Sequence, residues 1–403
     1  MTRSPYTTGY LNMLKINLNE NFGALTGDYL FSETARRLRA FEAENPGKRV
    51  IKLGIGDVTR PLAPVVTQAL ARAVDEMAHA DTFRGYCPEA GYGFLRTAAA
   101  EYYGRRRVDI RPEEIYISDG AKSDCAAIPS ILGINDVYLP DPVYPVYRDS
   151  NVICGNNVKT VPATAENDFL PGPEVCGKAP AVIYICSPNN PTGAVYSRKA
   201  LAEWVSMARS TGSLIIYDAA YEAYITEEDV PHTIYEIPGA KYCAVEICSL
   251  SKSAGFTGTR CGWSVFPREL GVPGKLWARR QAAAFNGVAY IVQRAAEAAL
   301  SSSGLSESME NVAYYMENAR MISSLLTEKG IYHTGGGNSP YVWLKCPEGV
   351  DSWSFFDVML RSAGVAGTPG AGFGKQGEGY FRLTGFGTRR DTEEAVERLR
   401  KVL

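Results

Sequence analysis

The chain has 403 residues, with 42 Lys and Arg against 44 Asp and Glu and a formal net charge of −2. At roughly 100–200 residues per domain this length suggests two or three domains, and the balanced charge leaves no electrostatic footprint for nucleic acid or an anionic membrane. A composition of 45% hydrophobic and 21% charged residues excludes disorder, and no apolar run approaches the ~20 residues that a membrane helix needs.

In chain order, residues 1–28 combine Asn, Gly and Thr with weak periodicity and read as an N-terminal arm. They lack the apolar stretch of a signal peptide. Residues 29–44 form a helical pattern with Ala35, Leu38 and Phe41 on one face, closed by Asn45–Pro46–Gly47. From residue 114 onward, short apolar runs rich in Val, Ile, Tyr and Cys read as buried strands at 114–118, 136–139, 181–187, 214–217, 244–249 and 262–266. Helical segments lie between them, such as 198–210, where Leu201, Val205 and Ala208 share a face. Strands alternating with helices predict an α/β fold with a mostly parallel sheet covered on both faces. After a long helical region near 289–329 come a strand at 341–345, a helix around 352–362, a strand at 380–384 and a final helix, the order of a smaller α+β domain. The expected division is an arm over 1–28, a small discontinuous domain of 29–59 and 291–403, and a large domain of 60–290. The nine cysteines contain no C-x-x-C pair and read as reduced thiols of a cytoplasmic protein. The three histidines, His79, His232 and His333, are isolated, which argues against a histidine metal site.

In parallel sheets of this kind, ligands bind beyond the carboxyl ends of the strands. Three such ends carry notable residues. After 181–187 the turn Ser187–Pro–Asn–Asn–Pro–Thr–Gly193 holds Asn190. After 214–217 comes Asp218–Ala–Ala–Tyr221, and after 244–249 comes Lys252, with Arg260 eight positions on. Singly, these read as a turn, a helix cap and a surface lysine. Together they supply a Schiff-base lysine, a carboxylate for a pyridine nitrogen, donors for a ring oxygen and a cation for a phosphate, the needs of a pyridoxal phosphate site. Ser118–Asp–Gly–Ala–Lys122 adds a strand-to-helix turn whose amides suit the phosphate.

With these residues in place, the chain resembles the fold-type I, class I/II aminotransferases. More narrowly, it is similar to LL-diaminopimelate aminotransferases in Leu53–Gly–Ile–Gly–Asp–Val58, Thr82–Phe–Arg–Gly–Tyr86, Asp141–Pro–Val–Tyr–Pro–Val–Tyr147, Asp218–Ala–Ala–Tyr–Glu–Ala223, Gly255–Phe–Thr–Gly–Thr–Arg260, Phe285–Asn–Gly287 and Gly367–Thr–Pro–Gly370. Cys87 departs from the pattern, which has Gly after the tyrosine.

The resemblance implies a large domain with a mostly parallel seven-stranded sheet, pyridoxal 5′-phosphate as cofactor, and a homodimer with shared sites. It implies that Lys252 bonds the cofactor and shuttles a proton, that Asp218 pairs with the ring nitrogen, and that Asn190 and Tyr221 bond the 3-oxygen. Ser249, Arg260 and the Ala121 and Lys122 amides would hold the phosphate, with Tyr86 arriving from the second subunit and Tyr144 lying against the ring. Arg382 would grip the substrate α-carboxylate. Tyr29, Gly56, Lys122, Tyr144 and Asn286 would line the rest of the substrate pocket, and Glu89 would meet the distal ammonium. The implied reaction is amino transfer between LL-diaminopimelate and 2-oxoglutarate, with lysine or another amino acid as the alternative donor.

Two other readings are weaker. Ser249–Leu–Ser–Lys252 fits the S-x-x-K of a serine hydrolase family, but neither K-T-G nor S-D-N occurs. The run Gly370–Ala–Gly–Phe–Gly–Lys375 has Pro369 and Gln376 where a Walker phosphate loop needs Gly and Ser or Thr. A regulator that retained the fold but lost its chemistry would not need so complete a set of cofactor residues.

Overall fold

A computed structural model describes residues 16–25 and 29–403. Most of the expected N-terminal arm therefore lies outside the described residues. Within 16–25, the turn Glu20–Ala24 is tied down by Asn19 and Asn21, whose side-chain amides donate to the Ile153 carbonyl at 3.0 and 3.1 Å.

The described strands form three sheets. The shortest pairs β1 (Ile51–Lys52) with a strand near the C-terminus. The central sheet holds β2 (Ile115–Ser118), β3 (Asp136–Asp141), β4 (Asn157–Pro162), β5 (Val182–Cys186), β6 (Leu214–Asp218), β7 (Ala244–Ser249) and β8 (Gly262–Val265). Their order is β2-β8-β7-β6-β5-β3-β4, and β8 alone runs antiparallel to its neighbours. Every residue of β5, β7 and β8 is buried, because helices cover both faces of a parallel sheet. Alternate residues feed two cores. Ile183, Ile185, Ile215 and Tyr217 point into one, and Tyr184, Cys186, Ile216 and Ile247 into the other.

The third sheet is antiparallel. It contains β9 (His333–Gly335), β10 (Tyr341–Lys345), β12 (Thr368–Pro369) and β13 (Tyr380–Thr384), in the order β12-β13-β10-β9, while β11 (Val365–Ala366) is the partner of β1. A third core joins Leu38 and Phe41 of the helix Leu30–Glu44 to Leu344, Phe356, Leu383 and Leu399. Among the described residues no helix is long and apolar enough to cross a membrane.

Three elements differ from the sequence expectation. Strand β4 lies at the sheet edge with only Val161 buried, so its sequence carries no apolar run. The helical region expected over 289–329 is two helices, Tyr290–Leu300 and Ser302–Glu328. Ser301 separates them in extended geometry, and its hydroxyl accepts the Gly304 N–H at 3.1 Å as an N-cap. The helix expected over 352–362 runs as Ser352–Val358 and then continues as a π turn, Met359–Ala363.

The register sets up the site. Cys186 lies opposite Asp218, Asp218 opposite Ile247, and Ser249 and Ser118 each opposite Gly262. The carboxyl ends of β2, β5, β6 and β7 therefore form one row. A Cβ at Gly262 would lie 2.5 Å from the Cys248 carbonyl, so only glycine lets the loop from Arg260 pass between β2 and β7.

Candidate active site

A cleft of about 370 Å³ opens at this row of strand ends. Its wall after β5 is the turn holding Asn190, which is 5% exposed and fixed by the Gly193 N–H bond to the Asn189 carbonyl at 2.8 Å. The wall after β6 is Asp218. Its Oδ1 accepts the Ala220 N–H at 2.9 Å, and its Oδ2 accepts the Tyr147 hydroxyl at 2.5 Å and the Cys125 thiol at 3.7 Å. Burial pushes this carboxyl above the usual range, and the three donors work against that rise. Tyr221 follows on the same loop, with its hydroxyl 2.7 Å from that of Tyr341 on β10.

After β7, Ser249 caps the short helix Leu250–Ser253 by accepting the Ser251 N–H at 3.1 Å. That turn carries Lys252 into the cleft. Its carbonyl accepts the Tyr224 hydroxyl at 2.8 Å, its amine donates to the Gly56 carbonyl, and the amine stands 5.6 Å from the Phe386 ring centroid. Burial lowers the pKa of this amine to about 8. Arg260 adopts a left-handed backbone with φ of 64°, an unfavourable geometry for a non-glycine residue. Its Nη1 donates to Ser251 Oγ at 3.2 Å and to the Thr257 carbonyl at 3.3 Å. A Cβ at Gly120 would lie 2.7 Å from Arg260 Nη2, so the backbone leading into Ala121 and Lys122 approaches the guanidinium as only glycine allows.

Opposite the strand ends stands Arg382 of β13, 1% exposed. Its Nη1 donates to Asn190 Oδ1 at 2.5 Å and its Nη2 to the Gly54 carbonyl at 2.7 Å. The guanidinium lies 4.4 Å from the Tyr341 ring centroid and 4.8 Å from that of Phe373. Its Nε is buried with no hydrogen-bond partner. A guanidinium held in place by Asn190 and Gly54 at the cleft wall suits a planar carboxylate.

Of the residues singled out in the sequence, Gly56, Ala121, Lys122, Tyr144, Asn190 and Asp218 line this cleft, as do Tyr221, Ser249, Lys252, Arg260 and Arg382. Tyr29 stands beside it, its ring centroid 5.3 Å from the Lys122 amine. Tyr86, Glu89 and Asn286 are exposed and do not line the cleft. They form a separate group, in which the Cys87 thiol, between Tyr86 and Glu89, donates to the Asn286 carbonyl at 3.4 Å. Cys87 also fills the space where a Cβ at Gly287 would sit. Sequence reasoning missed Tyr147, Ser251 and Tyr341 as cleft residues. Tyr147 closes a motif already noted and Ser251 adjoins Lys252, whereas Tyr341 is one apolar strand residue among several.

A model of the family described as aminotransferase class I and II matches residues 48–399. The chain belongs to the class I and II aminotransferases. It is 50% identical over 401 residues to the LL-diaminopimelate aminotransferase of Lachnospira eligens, covering 95% of this chain and 99% of the relative. It is 48% identical to the enzyme of the same name from Bacteroides fragilis, covering 96% and 99%. The solved L,L-diaminopimelate aminotransferase of Chlamydomonas reinhardtii superposes with a TM-score of 0.91 at 40% identity, covering 96% of this chain and 99% of that one. The fold is accordingly the fold-type I α/β architecture.

Enzymes of this family depend on pyridoxal 5′-phosphate, and the cleft fits that group. Asp218 is a buried carboxylate that forms no ion pair among the described residues and faces the cleft, which suits a cationic ring nitrogen. The glycine-permitted approach of residues 120–122 to Arg260 forms a cradle for a phosphate.

Proposed function

We propose that the protein is a pyridoxal-phosphate-dependent aminotransferase that interconverts LL-2,6-diaminopimelate and 2-oxoglutarate with tetrahydrodipicolinate and glutamate, a step of lysine biosynthesis. The observation that carries this reading is near-full-length identity of 50% to a relative of that name, joined to a cleft with a buried amine, carboxylate and guanidinium.

When bound, the cofactor supplies an aldehyde that exchanges for the amino group and a ring that accepts electrons from the substrate α-carbon. Asp218 would pair with the protonated ring nitrogen, and Asn190 and Tyr221 would donate to the 3-oxygen. Ser249, Arg260 and the Ala121 and Lys122 amides would bind the phosphate, and Tyr144 would lie against the ring. Lys252 would anchor the cofactor, and its amine, whose pKa burial already lowers, would serve as the general base for the α-carbon proton. Arg382 grips the α-carboxylate of both substrates and so fixes which hydrogen faces Lys252. Tyr29, Gly56 and Lys122 line the space for the distal end.

Three further assignments belong to this reading. The working unit is a homodimer, with Tyr86 and Asn286 serving the partner's cleft, which their exposure and their absence from the lining of their own cleft support. The compartment is cytoplasmic, as nine free cysteines suggest. The joining of 29–59 to the C-terminal part is supported by the core that unites Leu38 and Phe41 with the C-terminal sheet, whereas Ala295, Ala296, Ala299 and Leu300 pack into the core of the central sheet, so the helix Tyr290–Leu300 goes with the large domain rather than with 291–403.

The deciding measurement is a donor screen with 2-oxoglutarate, comparing LL-diaminopimelate with lysine, aspartate and alanine. The first should give the highest kcat/KM, and a preference for lysine would replace the reading with a lysine aminotransferase. Glu89 is assigned to the distal ammonium, which diaminopimelate has and glutamate lacks. A hydrogen bond to a charged group is worth roughly 1.5–3 kcal/mol, or about ten- to a hundredfold in rate. Glu89→Gln should lower kcat/KM for LL-diaminopimelate by that factor and leave the glutamate half-reaction nearly unchanged. Equal losses for both substrates would remove Glu89 from this role.

A further inference from the structure

Asp218 is held by groups that the reaction scheme above does not use. Its titratable neighbours are Tyr147, Cys125, Cys186 and Tyr341, all phenols or thiols that burial keeps in their neutral forms. Among the described residues no cation therefore balances the carboxylate. Only donated hydrogen bonds favour its charge, and the shortest is the 2.5 Å bond from Tyr147. The tyrosine is built to aim that hydroxyl. It is 1% exposed on the helix Pro145–Ile153, its ring stacked on Tyr184 at 5.1 Å and edge-on to Tyr144 at 5.8 Å. Burial also holds the phenol proton on its oxygen, so Tyr147 acts as a donor throughout.

Resting on the cofactor reading above, we propose that Tyr147 is a positioning residue that keeps Asp218 ionised, so that the proton shared between Asp218 and the cofactor resides on the ring nitrogen. The chemistry follows from relative basicity. A carboxylate that accepts a strong hydrogen bond is a weaker base. Without the Tyr147 hydroxyl, Asp218 becomes the stronger base of the pair and draws the proton from nitrogen to its own oxygen. The pair then changes from two facing charges to a neutral hydrogen bond, which weakens cofactor retention and the ring's pull on electrons. The Cys125 thiol, at 3.7 Å and a weak donor, cannot replace it.

The test uses holoenzyme reloaded with pyridoxal 5′-phosphate carrying nitrogen-15 in the ring, in the wild type, Tyr147→Phe and Asp218→Asn. The wild type should show a protonated nitrogen near neutral pH, and Asp218→Asn an unprotonated one. Tyr147→Phe, which keeps the stacked ring, should move the signal toward that of Asp218→Asn and weaken cofactor binding by about tenfold, the effect of losing one hydrogen bond to a charged group. Placing 3-fluorotyrosine at 147 keeps the packing, makes the phenol a stronger donor and should keep the nitrogen protonated to higher pH than in the wild type. If both changes at 147 leave the wild-type signal while Asp218→Asn alters it, the role of Tyr147 is overturned and the cofactor reading stands. If Asp218→Asn itself changes nothing, the pairing of Asp218 with the ring nitrogen falls and this proposal with it, while a failure of any chain to retain the labelled cofactor would overturn the cofactor reading itself. Equal drops in Tm for the apo and cofactor-loaded Tyr147→Phe protein, with an unmoved nitrogen signal, would reduce Tyr147 to packing alone.

Discussion

The Lys252 ammonium loses most of its hydration in the cleft, and the nearby Arg260 and Arg382 guanidiniums add like charge that Asp57 offsets in part. The pKa of about 8 that results is well below the ~10.4 of a free lysine. The folded state thus favours the neutral amine. This group disfavours folding fully below pH 8, and the penalty is relieved as pH rises from about 8 toward the unfolded value. Its chemical consequence is directly measurable. The amine attacks an aldehyde only when neutral, so apoenzyme should take up pyridoxal 5′-phosphate at a rate that rises with pH and levels just above 8. Continued rise to pH 10 would show a lysine that the cleft does not perturb. Borohydride reduction and peptide mapping should then find the label on Lys252, and a label on another lysine would falsify the assignment.

At the scale of elements, the corner between the helices Tyr290–Leu300 and Ser302–Glu328 sets a steric effect against a propensity. Alanine is favoured over glycine inside a helix by about 1 kcal/mol. A Cβ at Gly304, however, would overlap the Ala298 carbonyl and crowd Ala299 Cα at 2.7 Å. Gly304→Ala should therefore lose on the order of 1–3 kcal/mol in urea unfolding, as overpacked sites do. A gain in stability would mean that the corner relaxes freely. The sequence does mark this corner, with the run Ser301–Ser302–Ser303–Gly304 between apolar stretches, which a single helix over 289–329 passes over. Strands β5, β6 and β7 were legible, since burial on both faces leaves continuous apolar runs. Edge strand β4 was not, since solvent on its outer side permits Asn157, Lys159 and Thr160. The site divides in the same way. Asn190, Asp218 and Lys252 stood out because turn residues and charges end apolar runs abruptly. The Tyr221–Tyr341 contact spans 120 residues of sequence, and no local pattern announces a pairing created by the fold.

For the molecule as a whole, the exposed group outside the cleft needs an explanation. Tyr86 is 89% exposed and Phe83, on the same segment, 56%. These are large side chains to leave in water on a protein whose core is otherwise well filled. The segment is also firmly held. Gln293, fully buried, accepts the Tyr92 N–H at 2.9 Å and donates to the Val288 carbonyl at 2.7 Å, and Cys87 reaches the Asn286 carbonyl. Tyr86, Glu89 and Asn286 are thus exposed on a hydrogen-bonded patch that takes no part in lining their own cleft. In the homodimer proposed above, a second copy related by two-fold symmetry would cover the patch and receive its residues, since such an interface uses the same surface twice. Complementation tests this directly. Lys252→Ala chains lack the anchoring amine and Tyr86→Ala chains lack the donated phenol, so each homodimer should be nearly inactive. In a mixed dimer both lesions fall in one cleft and the other is intact. Random mixing at equal amounts should therefore restore about a quarter of the wild-type sites. Mixed dimers that form in sedimentation but recover no activity would show that each chain completes its own cleft, and a fully active monomer would remove the shared site altogether.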